Sequence, residues 1–317
     1  MPDYDPTNPK PELVIALAGP VGTDLDVVAT LLEEELSPYH YKTVLVKVSS
    51  LIIEWCEPAV QCKIETAVAD ERIHMLMNAG DSVRASQNKG QALLPLILAH
   101  IGALRSEILE TRGLKEEEIE AYNTCFIINS LKHPDEVKVL REIYGTKFIL
   151  ISAFASVDSR TDRLCELIAK SKHTTDNGQF SKEAADLIKK DSQRPNTEIG
   201  QNLRHTFPLA DFFVSTDKDL KDDIERFLES LFSNPFKTPR TDEYFMYEAA
   251  AASLRSADLS RQVGAAIVDE KRGLLVKGCN EVPAFGGNAY WADDADDEDH
   301  RDYKKGRTTM QLRKWRF

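Results

Sequence analysis

Short apolar runs alternate with amphipathic segments over most of the first 232 residues. The apolar runs are rich in β-branched residues and predict buried strands at 13–18, 43–48, 124–128, 147–152 and 212–214. Helical spacing predicts helices at 25–36, 69–77, 93–109, 115–122, 135–144, 159–169, 182–189 and 218–232. The polar residues 171–181 predict a mobile loop. Strands that alternate with helices predict an α/β fold with a doubly wound parallel sheet.

A second region follows a proline-containing boundary at 233–240. Thr241 or Asp242 is expected to cap a helix that runs to about 257, and strands are predicted at 263–268 and 274–278. One helix and two strands bury little apolar surface, so we expect this partial domain to lean on the first domain or on another subunit. The predicted organisation is an arm at 1–11, a domain at 12–234, a linker at 235–241, a partial domain at 242–306 and an aberrant basic tail at 307–317.

Composition narrows the function classes. A chain of 317 residues with 42% hydrophobic and 29% charged residues is typical of a soluble protein with two domains. The net charge of −12 disfavours nucleic acid as a partner. Five scattered cysteines, no signal-peptide core and no apolar run of membrane-spanning length predict a reduced, cytoplasmic protein without a membrane segment.

A glycine-rich turn, Gly19-Pro-Val-Gly22, follows the first predicted strand. A phosphate-binding P-loop at this place has the pattern G-x-x-x-x-G-K-[ST]. With Gly19 as the first glycine, the last three motif positions are filled by Asp24, Leu25 and Asp26. The backbone cradle and the N-terminus of the next helix favour an anion, and the candidate residues are Gly19, Gly22 and Thr23. The two aspartates disfavour a triphosphate.

Three alternatives stay open for this turn. The first is a tight turn that holds no nucleotide, and the second is a site that binds phosphate or a nucleotide. The third is a site of kinase chemistry, which the absence of the P-loop lysine disfavours. Asn129 ends the third strand, where P-loop enzymes commonly carry a magnesium-binding aspartate, and is a weaker, neutral ligand. Three arginines are candidate phosphate contacts, the alternative being solvated or salt-bridged surface side chains: Arg84, Arg160 and Arg163.

Residues 254–268 (LRSADLSRQVGAAIV), 278–283 (GCNEVP), 285–287 and 290–291 resemble the bacterial deoxycytidylate/dCTP deaminase family. The resemblance is to the branch that is fused to an N-terminal P-loop-kinase-like domain and that includes antiphage enzymes depleting deoxycytidine nucleotides. Residues 18–22, 72–77 and 131–136 resemble that N-terminal domain. The resemblance implies a P-loop-kinase-like sheet domain followed by a partial α/β cytidine-deaminase-like domain.

The same resemblance implies a zinc-dependent reaction on dCTP or dCMP in complete relatives. Such enzymes use His-x-Glu and Pro-Cys-x-x-Cys, and neither motif occurs in this sequence. We therefore expect no catalytic residue, no metal ligand and no cofactor in this chain. The resemblance gives Asn280 a role at the nucleotide sugar with help from Glu281, and the alternative is that Asn280 caps its loop while Glu281 is solvated.

The composition changes after Gly306, where residues 307–317 hold four basic and no acidic side chains. We expect a deaminase shortened by a frameshift and inactive alone, and the alternative is a genuine short paralogue with a basic tail. A noncatalytic nucleotide-sensing or regulatory subunit, partnered by itself or by a complete deaminase, is the second hypothesis. A nucleotide kinase is the third.

Overall fold

The computed structural model describes residues 10–112, 122–192, 201–295 and 299–305. The chain divides into two compact units, Met1–Asn234 and Pro235–Phe317. The predicted helix at 115–122, most of the predicted arm and the basic tail lie outside the described residues. Within the described ranges, no helix combines the length and the apolar character that crossing a membrane requires.

A five-stranded parallel sheet forms the centre of the first unit. Its strands are β1 (Leu13–Ala18), β2 (Lys42–Lys47), β3 (Thr124–Asn129), β4 (Phe148–Phe154) and β5 (Phe212–Ser215). They lie in the order β2-β3-β1-β4-β5. The predicted doubly wound α/β fold is confirmed, with the glycine-rich turn directly after the first strand as expected of a P-loop-kinase-like domain.

Helices cover both faces of this sheet. They are α1 (Leu25–Leu36), α2 (Val48–Trp55), α3 (Pro58–Thr66), α4 (Ala69–Gln87), α5 (Leu94–Thr111), α6 (Pro134–Tyr144), α7 (Val157–Ser171), α8 (Ser181–Ser192), α9 (Leu203–Thr206) and α10 (Leu220–Leu231). Residues 178–180 of the predicted loop form a short 3₁₀ turn.

Three departures from the predicted helices matter for the site. Helices α2 and α3 are absent from the prediction, since both are short and no side chain caps the N-terminus of either. Pro58, the first residue of α3, is a start signal that the sequence does offer. The predicted helix at 69–77 extends ten residues further as α4 and ends at Gln87, followed by Asn88 in the left-handed conformation. Arg84 was expected after a helix, and it lies inside α4.

The core has one layer on each side of the sheet. All residues of β1 are buried, and they alternate between the two layers. Val14 and Ala16 pack with residues of α2, α5 and α6, whereas Ile15 and Leu17 pack with α1 and α10. A strand buried on both faces explains the uninterrupted apolar run in the sequence.

The second unit contains α11 (Thr241–Ser253), β6 (Gly264–Val268), β7 (Leu274–Cys279) and the short α12 (Asp302–Lys305). Strands β6 and β7 are antiparallel. A Cβ at Gly264 would lie 1.8 Å from the Ala249 carbonyl oxygen, so this strand can lie against α11 only with glycine there. Leu275 and Val276 of β7 are more than half exposed, and a partner that covers them stays a prediction.

Candidate functional site

A cavity of about 320 Å³ opens at the carboxyl ends of the strands. Strands β1 and β3 are neighbours, and the helices that follow them, α1 and α6, lie on opposite faces of the sheet. Ligands of open α/β sheets bind in the crevice that such a divergence creates. The glycines of the turn and the polar residues of the lining are Gly19, Gly22, Thr23, Asp24, Asp26, Lys47, Ser49, Arg84, Asn129, Ser130, Lys132, Arg163, Asp191 and Gln201.

The two glycines of the turn are required by close backbone approach. Gly22 has φ of +88°, and a Cβ there would lie 2.8 Å from the Arg160 carbonyl oxygen. A Cβ at Gly19 would lie 2.9 Å from the Ala153 carbonyl oxygen. Packing therefore explains both glycines without a bound nucleotide, and both still line the cavity.

Internal carboxylates already occupy donors of the turn. The Val21 N–H donates to Oδ2 of Asp191 at 2.9 Å. Asp24 caps α1 by accepting the Val27 N–H at 3.1 Å, and its carboxylate pairs with Arg163. The predicted anion cradle is thus partly filled by acidic side chains of the chain itself.

The other charged groups at the turn are held by neighbours. Lys47 lies 3.0 Å from Asp26, which also accepts from the Asn129 amide at 2.9 Å. Lys132 donates to the Gly19 carbonyl at 2.6 Å. Arg160 donates from Nη1 to the Val21 carbonyl at 3.3 Å. It therefore contacts the backbone of the turn but is not part of the cavity lining.

Arg84 is buried, with 2% of its surface exposed. Its Nη2 donates to Glu136 at 2.7 Å and its Nε donates to the Gly90 carbonyl at 3.1 Å. The third nitrogen, Nη1, has no hydrogen-bond partner among the described residues and lies 4.0 Å from the Asp81 carboxylate. Arg84 is thus salt-bridged, as the alternative expected, but it is buried rather than at the solvated surface.

Two more lining residues carry buried polar atoms. Across the ranges that the structure covers, the Thr23 hydroxyl and the Gln201 carbonyl oxygen also find no hydrogen-bond partner. Buried polar atoms are nearly always paired in proteins, so each unpaired atom is a position where a water, an ion or a ligand's polar group would complete the hydrogen bonding. The lining also carries apolar side chains from three helices, among them Ile52 of α2, Ile73, Leu76 and Met77 of α4, and Leu164 and Leu167 of α7. A cavity with a few polar groups and an apolar wall is typical of small-molecule sites.

Asn280 lies at the end of β7, and its side chain is engaged within the second unit. Its Oδ1 accepts from the Ser256 hydroxyl at 2.9 Å and from the Val263 N–H at 2.7 Å. Its Nδ2 donates to the Arg261 carbonyl at 2.7 Å. These bonds favour the loop-capping alternative, and contact with a sugar stays a prediction.

Glu281 is likewise tied to the backbone, because its Oε2 accepts the Ala257 N–H at 2.7 Å and its Oε1 accepts the Val282 N–H at 2.8 Å. Within the described part of the chain, no group of three or more His, Cys, Asp or Glu side chains is arranged to hold a metal ion.

The structure brings five of the six predicted phosphate-site residues to one cavity: Gly19, Gly22, Thr23, Arg84 and Arg163. Sequence reasoning missed the roles of Lys132 and Glu136, although both lie in the segment 131–136 directly after β3. Lys132 and Glu136 follow β3, the neighbour of β1, and this position in the sequence could have indicated that they lie near the glycine-rich turn. Asp191 and Gln201 carry no such signal, because they come from a distant part of the chain.

No family model matches this sequence, and no curated protein matches it. Among solved structures, an APS kinase from Mycobacterium tuberculosis, in complex with AMPPNP and APS, is 11% identical with a TM-score of 0.32 and covers 71% of this chain and 100% of its own. An uncharacterized protein from Eubacterium ventriosum is 11% identical with a TM-score of 0.33, and the match covers 70% of this chain and 99% of that protein. A gluconokinase from Sinorhizobium meliloti is 12% identical with a TM-score of 0.31 and covers 71% and 98%.

These comparisons give no support to the deaminase resemblance. Their TM-scores are too low to carry an argument about function for this chain.

Proposed function

We propose that the first unit binds a small ligand with one acidic group, of about the size of a nucleoside monophosphate, and does not transfer phosphoryl groups. The observation that carries this proposal is Nη1 of Arg84, a buried guanidinium nitrogen with no hydrogen-bond partner in the described residues, on the wall of the cavity. Arginine presents fixed donors that suit a carboxylate or a phosphate.

The charges of the lining support a single acidic group rather than a triphosphate. The lining holds four cationic and three anionic side chains: Lys47, Arg84, Lys132 and Arg163 against Asp24, Asp26 and Asp191. Lys47 and Arg163 are paired with the two aspartates of the turn, and Lys132 is bonded to the turn backbone. The lining therefore holds little unpaired positive charge that could bind a polyphosphate.

The shape supports a ligand with an apolar half. A volume of about 320 Å³ lies at the lower end of ligand cavities, which range over roughly 300–1,000 Å³. The apolar side chains that α2, α4 and α7 contribute to the lining are suited to a base or a sugar, while the unpaired polar atoms of Arg84, Thr23 and Gln201 are suited to the acidic group. The resemblance at 254–291 makes dCMP the first ligand to test.

Kinase chemistry is not part of the proposal. The residue at the position of the P-loop lysine is Leu25, which cannot neutralise the outer phosphates of ATP. We expect no phosphoryl transfer from ATP to dCMP or to the other ligands that bind.

A thermal-shift panel tests the proposal with nucleosides, nucleoside monophosphates, nucleoside triphosphates and inorganic phosphate. A ligand that binds the folded state raises the melting temperature, and we expect this from a monophosphate. The variant Thr23→Val removes the cavity hydroxyl with little change of shape. Its affinity should fall about two- to tenfold, because one hydrogen bond contributes about 0.5–1.5 kcal/mol.

The matched control is Thr43→Val, the same change on β2 outside the cavity lining. It should bind as the unchanged protein does. Equal affinities for all three proteins, or no shift with any ligand of the panel, would overturn the proposal.

For the second unit we propose a partial deaminase-like domain that does not deaminate in this chain. The order α11, β6, β7 and the close packing of Gly264 on α11 support it, since the resemblance falls on these elements. The chain then acts as a noncatalytic sensor of deoxycytidine nucleotides, with itself or with a complete deaminase as partner. We expect no zinc and no dUMP or dUTP, and about one zinc per chain together with a deaminated product contradicts this.

A further inference from the structure

We infer that Asp191 sets the ligand specificity of the cavity by occupying the place that a phosphate would take on the glycine-rich turn. The inference rests on the proposed function, because it concerns which acidic ligands the same cavity accepts. The Asp191 carboxylate accepts the Val21 N–H at 2.9 Å and lines the cavity.

The turn supplies the kind of donor that anions use. Backbone N–H groups of a glycine-rich turn that opens a helix attract phosphate oxygens and carboxylates alike. Here one such N–H, that of Val21, is bonded to a carboxylate of the same chain. A second carboxylate, that of Asp24, takes the N–H of Val27 at the start of α1. An incoming phosphate would meet two negative charges where it needs donors.

The fold holds Asp191 in this position through the buried face of α8. Ala184 and Leu187 are buried and belong to one apolar cluster with Leu164, Cys165 and Ile168 of α7. Asp191 follows Ala184 by seven residues and Leu187 by four, so all three lie on the same side of the helix.

Val21 also packs against the cluster that α7 and α8 share. The turn and the helix that supplies the carboxylate are thus joined by apolar packing as well as by the hydrogen bond. Asp191 is therefore placed by the core of the domain, whereas an exposed acidic residue of the same helix would have no fixed distance to the turn.

The test changes the charge and keeps the shape. Asp191→Asn keeps an oxygen that can accept the Val21 N–H, and Asp191→Ser is a second neutral variant in case the first folds poorly. The matched control is Asp186→Asn, which removes one charge from an exposed position of the same helix. Calorimetric titrations of the full chain use dCMP, dCTP and inorganic pyrophosphate.

We expect the neutral variants at position 191 to bind dCTP and pyrophosphate about tenfold more tightly than the unchanged protein, because removal of a like charge is worth more than a kcal/mol. Asp186→Asn should bind as the unchanged protein does. The inference is overturned if a folded neutral variant gains no affinity for pyrophosphate, or if Asp186→Asn gains as much.

The two proposals fail separately. If dCMP and the other monophosphates bind none of the proteins while pyrophosphate binds the neutral variants alone, the proposed function fails and the role of Asp191 stands. If dCMP binds all of them and pyrophosphate none, the proposed function stands and the role of Asp191 fails.

Discussion

At the scale of single residues, the site depends on a buried ion pair that the sequence pattern does not reveal. Arg84 and Glu136 are separated by 52 positions, yet their side chains are 2.7 Å apart and both are buried. Glu136 also accepts the N–H groups of Lys132 and His133 at the start of α6. Charge alone suggested Arg84 as a candidate, whereas its partner follows from the packing of α4 against the region after β3.

Glu136→Gln should destabilise the protein strongly, because it removes the nearer and fully buried counter-charge of Arg84. We expect the free energy of unfolding to fall by about 3–5 kcal/mol in chemical denaturation. Lys221→Gln is the control, since Lys221 is 64% exposed and lies 3.4 Å from Glu35. Loss of that surface pair should cost less than about 1 kcal/mol. Similar losses in the two variants would mean that Arg84 is not a buried, paired cation.

At the scale of elements, the strands were predictable to within two residues at each end in the first unit. Strands of a parallel sheet that is covered on both faces are buried on both sides, so they appear in the sequence as apolar, β-branched runs between polar segments. Helices α2 and α3 are absent from the prediction because they are short and lack side-chain caps, and the predicted helix at 69–77 ends ten residues before α4 does. The residues of the turn were found from sequence, since they follow a buried strand directly, whereas Asp191 and Gln201 join the cavity only through tertiary packing.

Gly22→Ala tests the account of the turn. The new Cβ would lie 2.8 Å from the Arg160 carbonyl oxygen at φ of +88°, so the turn has to shift. We expect a loss of about 1–3 kcal/mol in the free energy of unfolding. Gly102→Ala in α5 is the control, because a Cβ there meets nothing within 4 Å. It should stabilise the protein by about 0.5–1 kcal/mol. A Gly22→Ala variant with an unchanged free energy of unfolding would contradict the close approach of Gly22 to the Arg160 carbonyl.

At the scale of the whole molecule, the central sheet carries a thiol whose ionisation is less favourable in the folded protein than in the unfolded chain. Cys125 of β3 is fully buried, and burial raises the pKa of its thiol well above the ordinary 9.0. The folded state therefore keeps this proton at alkaline pH while the unfolded state releases it. Stability from this group is complete below pH 9 and falls as the pH rises above that value.

The stability of the protein should therefore fall more steeply above pH 9 than that of Cys125→Ala. The expected difference in slope is about 1.4 kcal/mol per pH unit, the value for one proton. Denaturant melts of both proteins between pH 8 and pH 10.5, roughly the range in which a free thiol loses its proton, give this slope directly. Parallel curves would show that Cys125 ionises equally in the folded and unfolded states, against its position in the core.

The central claim is that the cavity at the carboxyl edge of the sheet binds an acidic, nucleoside-sized ligand through Arg84. A crystal structure of the full chain with the monophosphate that gives the largest thermal shift tests it most directly. We expect the acidic group within hydrogen-bond distance of Nη1 of Arg84, the Thr23 hydroxyl bonded to the ligand, and the ligand's apolar half against the apolar side chains of α2, α4 and α7. A ligand that binds elsewhere, or an acidic group on the glycine-rich turn with Asp191 still bonded to Val21, would contradict the account.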